Sequence, residues 1–299
     1  MKRFLYGPVL SKRFGRSLGV DLLPHKTCNF NCVYCQLGKS LHYVCERKEF
    51  YPAPQIISWI KENLKKYPEY DFITFSGNGE PLLYKGIDRI IEFLKEIQPK
   101  PIIILTNGSL FYLKEVREEV KNADIIVPSL LAGNEKTFLK IARPCKSLKF
   151  ENIIEGLINL RKEFKGKIFV EIMLVKDLND KEEEVYEMKK IIDRINPDKI
   201  FINTPTRPPA LKWAIPPSYE KLEFVKSIIG GEIVKERKSF DEKLKIEEVI
   251  NIIEKRPLSL EEIMERLKID DAEKVKKILK EKEERIKFIK IEDKEYATY

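Results

Sequence analysis

The chain has 299 residues, of which 43% are hydrophobic and 35% are charged, so it can form a large domain and a small one and is not a disordered protein. The longest uncharged run, residues 101–113, includes Pro, Asn, Gly and Ser and is too short to span a bilayer. The basic N-terminus lacks the apolar stretch of a signal peptide, so we expect a cytoplasmic protein without a membrane partner, and the sequence does not indicate its oligomeric state.

The net charge of +8 is concentrated before residue 238. Residues 238–299 contain 16 Lys/Arg and 17 Asp/Glu, whereas the preceding residues contain 40 and 31. Such an excess commonly serves solubility alone, but the cluster at the N-terminus also suits an anionic partner, such as a nucleic acid or a phosphorylated substrate. Five cations precede the first acidic residue, Asp21: Lys2, Arg3, Lys12, Arg13 and Arg16.

Short segments rich in β-branched residues alternate with amphipathic stretches through the first 237 residues. Helical spacing is clear at Phe150, Ile153, Ile154 and Leu157. This alternation predicts an α/β fold with a parallel sheet, either open or a partial barrel, whose chemistry lies at the carboxyl ends of the strands. The predicted strands are residues 17–23, 71–77, 101–108, 124–130, 167–175 and 199–205.

The sequence pattern changes near Lys238. Residues 243–256, 259–268 and 271–286 are predicted to be helices, and the alternating segment FIKIEDKEYATY is predicted to be a hairpin. These elements predict a small winged-helix-like domain at residues 238–299, after a larger domain at residues 1–237. The third helix contains both lysines and glutamates. Its charge therefore fits nucleic-acid binding, contact with a protein or a lid role about equally well.

Four of the five cysteines and both histidines lie within residues 25–45. Three of them, Cys28, Cys32 and Cys35, have the spacing C-x3-C-x2-C, which argues against a disulfide framework and for a metal site. Thiolates bind zinc or iron–sulfur clusters. Zinc needs a fourth ligand, which His25, His42 or Cys45 could supply, whereas three thiolates on a four-iron cluster leave one iron open.

The cysteine motif after the first predicted strand, with Tyr34 before the last cysteine, resembles the radical S-adenosylmethionine (SAM) superfamily. The resemblance implies a partial (β/α)6 barrel in which Cys28, Cys32 and Cys35 hold a [4Fe–4S] cluster and SAM chelates the open iron. One electron from the cluster then cleaves SAM to a 5′-deoxyadenosyl radical, which abstracts hydrogen from the substrate. It also implies a one-electron donor of the flavodoxin or ferredoxin type.

The segment GNGEP at residues 77–81 is similar to the Gly-Gly-Glu-Pro motif with which this superfamily binds the SAM amino group, except that Asn78 replaces a glycine. The resemblance implies that Glu80 and nearby carbonyls accept hydrogen bonds from the ammonium. The implied SAM-binding residues are Tyr34, Gly77, Asn78, Gly79, Glu80, Thr106, Asn107, Ser129 and Glu171.

The stretch GPVLSKRFGRSLGVDLLPHKTCNFNCVYCQLG resembles a branch grouped with the wyosine-forming enzymes of tRNA. Those enzymes need a second cluster with three more cysteines, and only Cys45 and Cys145 remain here, so we expect RNA modification other than wyosine synthesis. Cys145 is a candidate hydrogen-atom donor or an inert residue. Predicted contacts to an anionic substrate are Arg143, Asn203 and Arg207.

Two other functions fit the sequence. One is a radical SAM enzyme that acts on a peptide, a protein or a small metabolite. The other is a metal-containing winged-helix binding protein without enzymatic activity.

Overall fold

The computed structural model describes residues 2–235, 244–291 and 293–299. The strands are β1 Leu5–Ser11, β2 Gly15–Val20, β3 Thr27–Cys28, β4 His42–Tyr43, β5 Phe72–Phe75, β6 Ile102–Thr106, β7 Ile125–Leu130, β8 Lys167–Met173, β9 Lys199–Asn203, β10 Glu232–Ile233, β11 Leu258–Ser259, β12 Lys287–Ile291 and β13 Lys294–Thr298. The α-helices are α1 Ala53–Asn63, α2 Ile87–Ile97, α3 Lys114–Glu119, α4 Glu135–Ala142, α5 Phe150–Glu163, α6 Glu182–Ile195, α7 Tyr219–Ile229, α8 Ile246–Ile253, α9 Leu260–Leu267 and α10 Ala272–Lys282.

The main sheet has eight strands in the order β1-β2-β5-β6-β7-β8-β9-β10. All neighbours from β2 to β10 are parallel, and the six predicted strands correspond to β2 and to β5 through β9. The predicted α/β fold with a parallel sheet is therefore confirmed. The predicted strands extend past the observed ends because the residues there turn into the loops of the site.

The sequence pattern did not reveal β1, an edge strand that pairs antiparallel with β2. Its register shifts between Tyr6 and Val9, where Gly7 and Pro8 interrupt the ladder. Proline cannot donate a ladder hydrogen bond, so it is tolerated at an edge strand or a bulge, and the segment loses the regular alternation of a strand.

The two faces of the sheet have different neighbours because side chains alternate along each strand. One face packs with α1, α2, α5, α6 and α7 in the largest core of the protein. On the opposite face, Phe14 packs against Phe72, Phe169 and Phe201. Other side chains of that face, among them Ser17, Thr74 and Ser129, line an open cavity.

The C-terminal elements lie where the sequence predicts three helices and a hairpin, and β11 adds a third strand beside β13. Their core includes Tyr6 and Val9 of β1. The side-chain amide of Asn251 donates to the Leu5 carbonyl at 3.1 Å. The C-terminal elements therefore pack directly on the edge strand. The predicted domain boundary at residues 237–238 lies outside the described residues.

Within these described ranges, no helix is both long enough and apolar enough to cross a membrane.

Candidate active site

The loop that carries the three cysteines is fixed by backbone hydrogen bonds on two sides. The Thr27 amide donates to the Asn78 carbonyl at 2.9 Å, and the Glu80 amide donates to the Thr27 carbonyl at 3.1 Å. On the other side, the Val33 amide donates to the Ile141 carbonyl of α4 at 3.0 Å. The loop is thus held between the GNGEP segment and α4.

Cys28, Cys32 and Cys35 are free cysteines that line a cavity of about 390 Å³. This volume lies within the usual range for small-molecule sites. Burial raises the pKa of all three thiols above the ordinary value, so they would be neutral without a metal. An iron–sulfur cluster converts such thiols to thiolates, and sulfur is its preferred ligand. The three residues therefore fit a cluster.

Among the residues that the structure describes, a closed zinc site lacks a fourth ligand. His25 Nδ1 lies 2.9 Å from Asn78 Oδ1, His42 is exposed on β4, and Cys45 forms a disulfide. In the described part of the chain, no group of three or more His, Cys, Asp or Glu side chains is arranged to hold a single metal ion. A four-iron cluster places each thiolate on a different iron, so it accepts sulfurs that are farther apart.

A disulfide joins Cys45 to Cys145, although the cysteine pattern argued against one. Cys145 is fully buried and is not among the cavity residues. It therefore has no thiol that can donate a hydrogen atom, and that candidate role is wrong. No sequence signal connects two cysteines that are 100 residues apart.

Glycine is required at two positions of the GNGEP segment. A Cβ atom at Gly79 would lie 1.5 Å from the Thr27 carbonyl oxygen, an overlap that rotation of a side chain cannot relieve. Gly77 has φ +128° and faces the Asp21 side chain. The close approach of the two backbones is what brings this segment to the cysteine loop.

Asn78, the residue that differs from the family motif, connects the buried Asp21 to the half-buried His25. Its Nδ2 atom donates to Asp21 Oδ2 at 2.6 Å, and its Oδ1 atom contacts His25 Nδ1. A glycine at this position could make neither contact. Asp21, which lies 57 residues earlier in the chain, therefore explains why this position is asparagine rather than glycine.

Glu80 joins two of the predicted SAM-binding segments. Its Oε1 atom accepts from Leu82 N at 3.0 Å and Thr106 Oγ1 at 2.6 Å, and Oε2 accepts from Asn107 N at 2.6 Å. Burial raises the pKa of Glu80 to about 7, although these hydrogen bonds oppose the increase. Oε2 keeps acceptor capacity for one further donor, such as an ammonium.

Asn107 extends toward the cysteines. Its Nδ2 atom donates to Asn29 Oδ1 at 2.8 Å and lies 3.9 Å from Cys28 Sγ. Asn29 is fully buried and donates to Ser109 Oγ at 2.7 Å, a role that the sequence pattern did not indicate. Its position directly after Cys28 is the only signal that could have indicated it.

The cavity brings together every residue that the resemblance implied for SAM. On β8 and β9, Glu171 accepts from Arg13 and from Asn203 Nδ2, the latter at 2.7 Å. The predicted residues on the cavity wall are Tyr34, Gly77, Asn78, Gly79, Glu80, Thr106, Asn107, Ser129, Glu171, Asn203 and Arg207.

The two arginines predicted to contact the substrate lie in different surroundings, and their substrate contact stays a prediction. Arg143 is an exposed residue that directly follows α4, with φ 47°. It does not line the cavity. Arg207 lines the cavity, but its two terminal nitrogens each lie 3.0 Å from a carboxylate oxygen of Glu262 in α9. The guanidinium fork thus binds a carboxylate of the protein itself.

The C-terminal elements supply part of the site, which the sequence did not indicate. Lys255 and Arg256 both line the cavity. Lys255 Nζ lies 3.1 Å from Asp21 Oδ2, and Lys2 Nζ lies 2.7 Å from the same oxygen. Asp21 therefore connects the first residues, the GNGEP segment and the C-terminal elements.

We expect Asp21→Asn to lower the free energy of unfolding by about 3–5 kcal/mol, because it leaves two lysines without their buried counter-charge. The matched control is Asp71→Asn, whose partner Arg16 is partly exposed, and we expect it to cost much less, because solvent screens this pair. Urea denaturation measures both. Equal losses in the two variants would contradict the buried network.

The contribution of Asp21 to the free energy of unfolding should depend on pH. Burial alone would raise the pKa of Asp21, but Lys2 and Lys255 outweigh it and hold the pKa below its usual value. The stabilisation is therefore present above the unfolded pKa of about 4 and is lost as the pH falls through the lower folded value. The stability difference between wild type and Asp21→Asn should be constant at neutral pH and should shrink in acid.

Comparisons with known proteins agree with this geometry. The family model "Radical SAM superfamily" matches residues 22–188. The UPF0026 protein MJ1312 of Methanocaldococcus jannaschii is 34% identical over 234 residues, which are 78% of this chain and 73% of that protein. The GTPase Obg of Brachyspira hyodysenteriae is 38% identical over 262 residues, which are 85% of this chain but only 38% of that protein.

Among solved structures, a radical SAM methyltransferase from Sphaerobacter thermophilus has a similar fold. Its TM-score is 0.56 at 16% identity, and the match covers 73% of this chain and 64% of that one. The family model covers more than half of the chain, and the MJ1312 relative is matched over most of its length. The chain therefore belongs to the radical SAM superfamily and to the UPF0026 family.

Proposed function

We propose that this chain is a radical SAM enzyme that abstracts a hydrogen atom from an anionic substrate, and that this substrate is an RNA, with tRNA as the first candidate. The observation that carries the proposal is the composition of one cavity. It contains the three cysteines, the GNGEP segment and cationic side chains from both ends of the chain.

The residues present can hold the cofactors of the superfamily. Cys28, Cys32 and Cys35 would ligate the cluster, and Glu80 would accept a hydrogen bond from the SAM ammonium. When bound, the cluster and SAM supply a radical that abstracts hydrogen. The cavity lies against one face of the sheet, which would limit access of water to a radical formed there.

The wall of the cavity supports an anionic substrate. Among the lining residues that the structure describes, six are Lys or Arg and two are Glu. Arg207 and Arg256 share the single carboxylate of Glu262, with Arg256 Nη2 at 3.3 Å from it. Arg256 Nε is buried without a hydrogen-bond partner among the described residues. A phosphate group beside Arg256 would satisfy this donor and balance the excess charge.

The size of the cavity limits which part of an RNA can enter. It must hold SAM as well as the substrate, so a single extruded nucleotide fits better than a helix. The remaining nucleotides would lie outside, where Lys255 and Arg256 bring the C-terminal elements to the wall of the cavity. On this proposal, the C-terminal elements contribute to substrate contact.

The test is anaerobic incubation of the cluster-loaded protein with SAM, dithionite and total tRNA. We expect 5′-deoxyadenosine, and a mass change in one tRNA nucleoside. A cluster-loaded protein that does not cleave SAM would contradict the enzyme assignment. An unchanged tRNA nucleoside profile in a strain without the gene would contradict RNA as substrate and would favour a peptide, a protein or a small metabolite.

A further inference from the structure

A surface patch covers the outer side of the cysteine loop and lies outside the cavity. Three of its side chains are apolar and exposed: Leu41 is 65% exposed, Tyr43 47% and Leu139 49%. We call this surface the cysteine-loop patch. It consists of Lys39, Leu41, Tyr43, Leu139, Lys140 and Lys146, none of which is a cavity residue.

The patch is connected to the cluster ligands by backbone contacts. Tyr43 pairs with Cys28 in the β3–β4 ladder, and the Val44 amide donates to the Cys28 carbonyl at 3.1 Å. The Tyr43 hydroxyl donates to the Arg143 carbonyl at 2.9 Å. The Cys45–Cys145 disulfide joins the same two segments. The patch is therefore held in a defined position beside the first cysteine.

The charged residues of the patch are all lysines, and the exposed Glu46 and Glu135 lie just outside the two segments that carry it. Residues 22–45 and 136–150 contain seven Lys or Arg and no Asp or Glu. Lys39, Lys140 and Lys146 are exposed and form no ion pair with any described residue. Apolar residues surrounded by unpaired cations are typical of a surface that binds an acidic protein.

We propose that the cysteine-loop patch docks an acidic one-electron carrier protein, which reduces the cluster. This inference rests on the proposed function, because only a redox cluster at the three cysteines needs such a partner. The carrier is oxidised by one electron and the cluster is reduced by one, and no bond is formed or broken. Electrostatic attraction brings the acidic carrier to the patch, and the apolar side chains hold it there.

RNA is the other polyanion that this surface could bind, but the geometry favours the carrier. A nucleotide must enter the cavity to react, and no residue of the patch lines it. An electron needs only a short path to a ligand, which the contact between Val44 and Cys28 provides. Exposed leucines also add contact area with a protein and contribute little to phosphate binding.

The test compares two triple charge reversals. The patch variant is Lys39→Glu/Lys140→Glu/Lys146→Glu, and the matched control is Lys61→Glu/Lys65→Glu/Lys85→Glu, which also replaces three exposed lysines. Calorimetry at low salt measures the Kd for a flavodoxin of net negative charge. We expect the Kd to rise by at least about tenfold in the patch variant and by less than about twofold in the control.

Stopped-flow absorbance supplies a second readout. Reduction of the cluster by flavodoxin hydroquinone should slow in the patch variant, whereas dithionite-driven SAM cleavage should equal that of wild type. If the patch variant fails to fold, Lys39→Gln/Lys140→Gln/Lys146→Gln replaces it, with a smaller increase in Kd expected.

Two results would overturn the docking surface. One is an unchanged flavodoxin Kd in the patch variant, and the other is weakened tRNA binding with intact flavodoxin binding. Both leave the proposed function untouched as long as dithionite still drives SAM cleavage. Failure of the wild-type protein to cleave SAM with dithionite would instead overturn the proposed function.

Discussion

Cys32→Ala is expected to remove the brown chromophore of the anaerobically reconstituted protein and to abolish formation of 5′-deoxyadenosine. The reason is that each of the three cavity thiols would hold a different iron, and the described residues bring no fourth protein ligand to replace one. Iron content, absorbance and 5′-deoxyadenosine yield measure the effect. A [4Fe–4S] protein should contain about four irons per chain.

The chain offers a matched control in Cys145→Ala. Cys145 is equally a cysteine, but it lies outside the cavity and pairs with Cys45. This variant should keep the iron and the cleavage of SAM. Loss of iron in both variants would contradict the assignment of the ligands. Zinc in place of iron in the wild-type protein would favour the non-enzymatic binding protein.

Gly79→Ala is expected to have the second largest effect. The added methyl group would overlap the Thr27 carbonyl oxygen, so the GNGEP segment and the cysteine loop must separate. We expect the free energy of unfolding to fall by about 1–3 kcal/mol. Because Glu80 moves with the segment, SAM binding should weaken by at least about tenfold, or 1.4 kcal/mol.

Gly230→Ala serves as the control for this variant. Gly230 occupies a backbone conformation that favours glycine, with φ +82°, whereas a Cβ atom there, unlike one at Gly79, would meet no atom within 4 Å. It should lose about 1 kcal/mol of stability and bind SAM like wild type. Calorimetry with SAM and urea denaturation separate the two expectations. Wild-type SAM affinity in Gly79→Ala would show that the close contact of the two backbones is not needed.

Much of the site could be predicted because its signals are local. The C-x3-C-x2-C spacing, the GNGEP segment and the ends of six strands are each contained in fewer than ten consecutive residues. In a parallel sheet the carboxyl ends of the strands lie at one edge, so topology alone brings these segments together. The C-terminal helices could be predicted for the same reason, since Ser259 and Glu262 form a capping box within four residues.

The sequence by itself therefore determined the cysteine motif, the glycine-rich segment and the order of strands and helices. Only the tertiary structure decided that β1 forms an edge of the sheet, that Lys255 and Lys2 both pair with Asp21, and that Arg207 binds Glu262. The same holds for the pairing of Cys45 with Cys145. A side chain's partner across 50 to 250 residues depends on how the elements pack, and residue spacing along the chain carries no record of that packing.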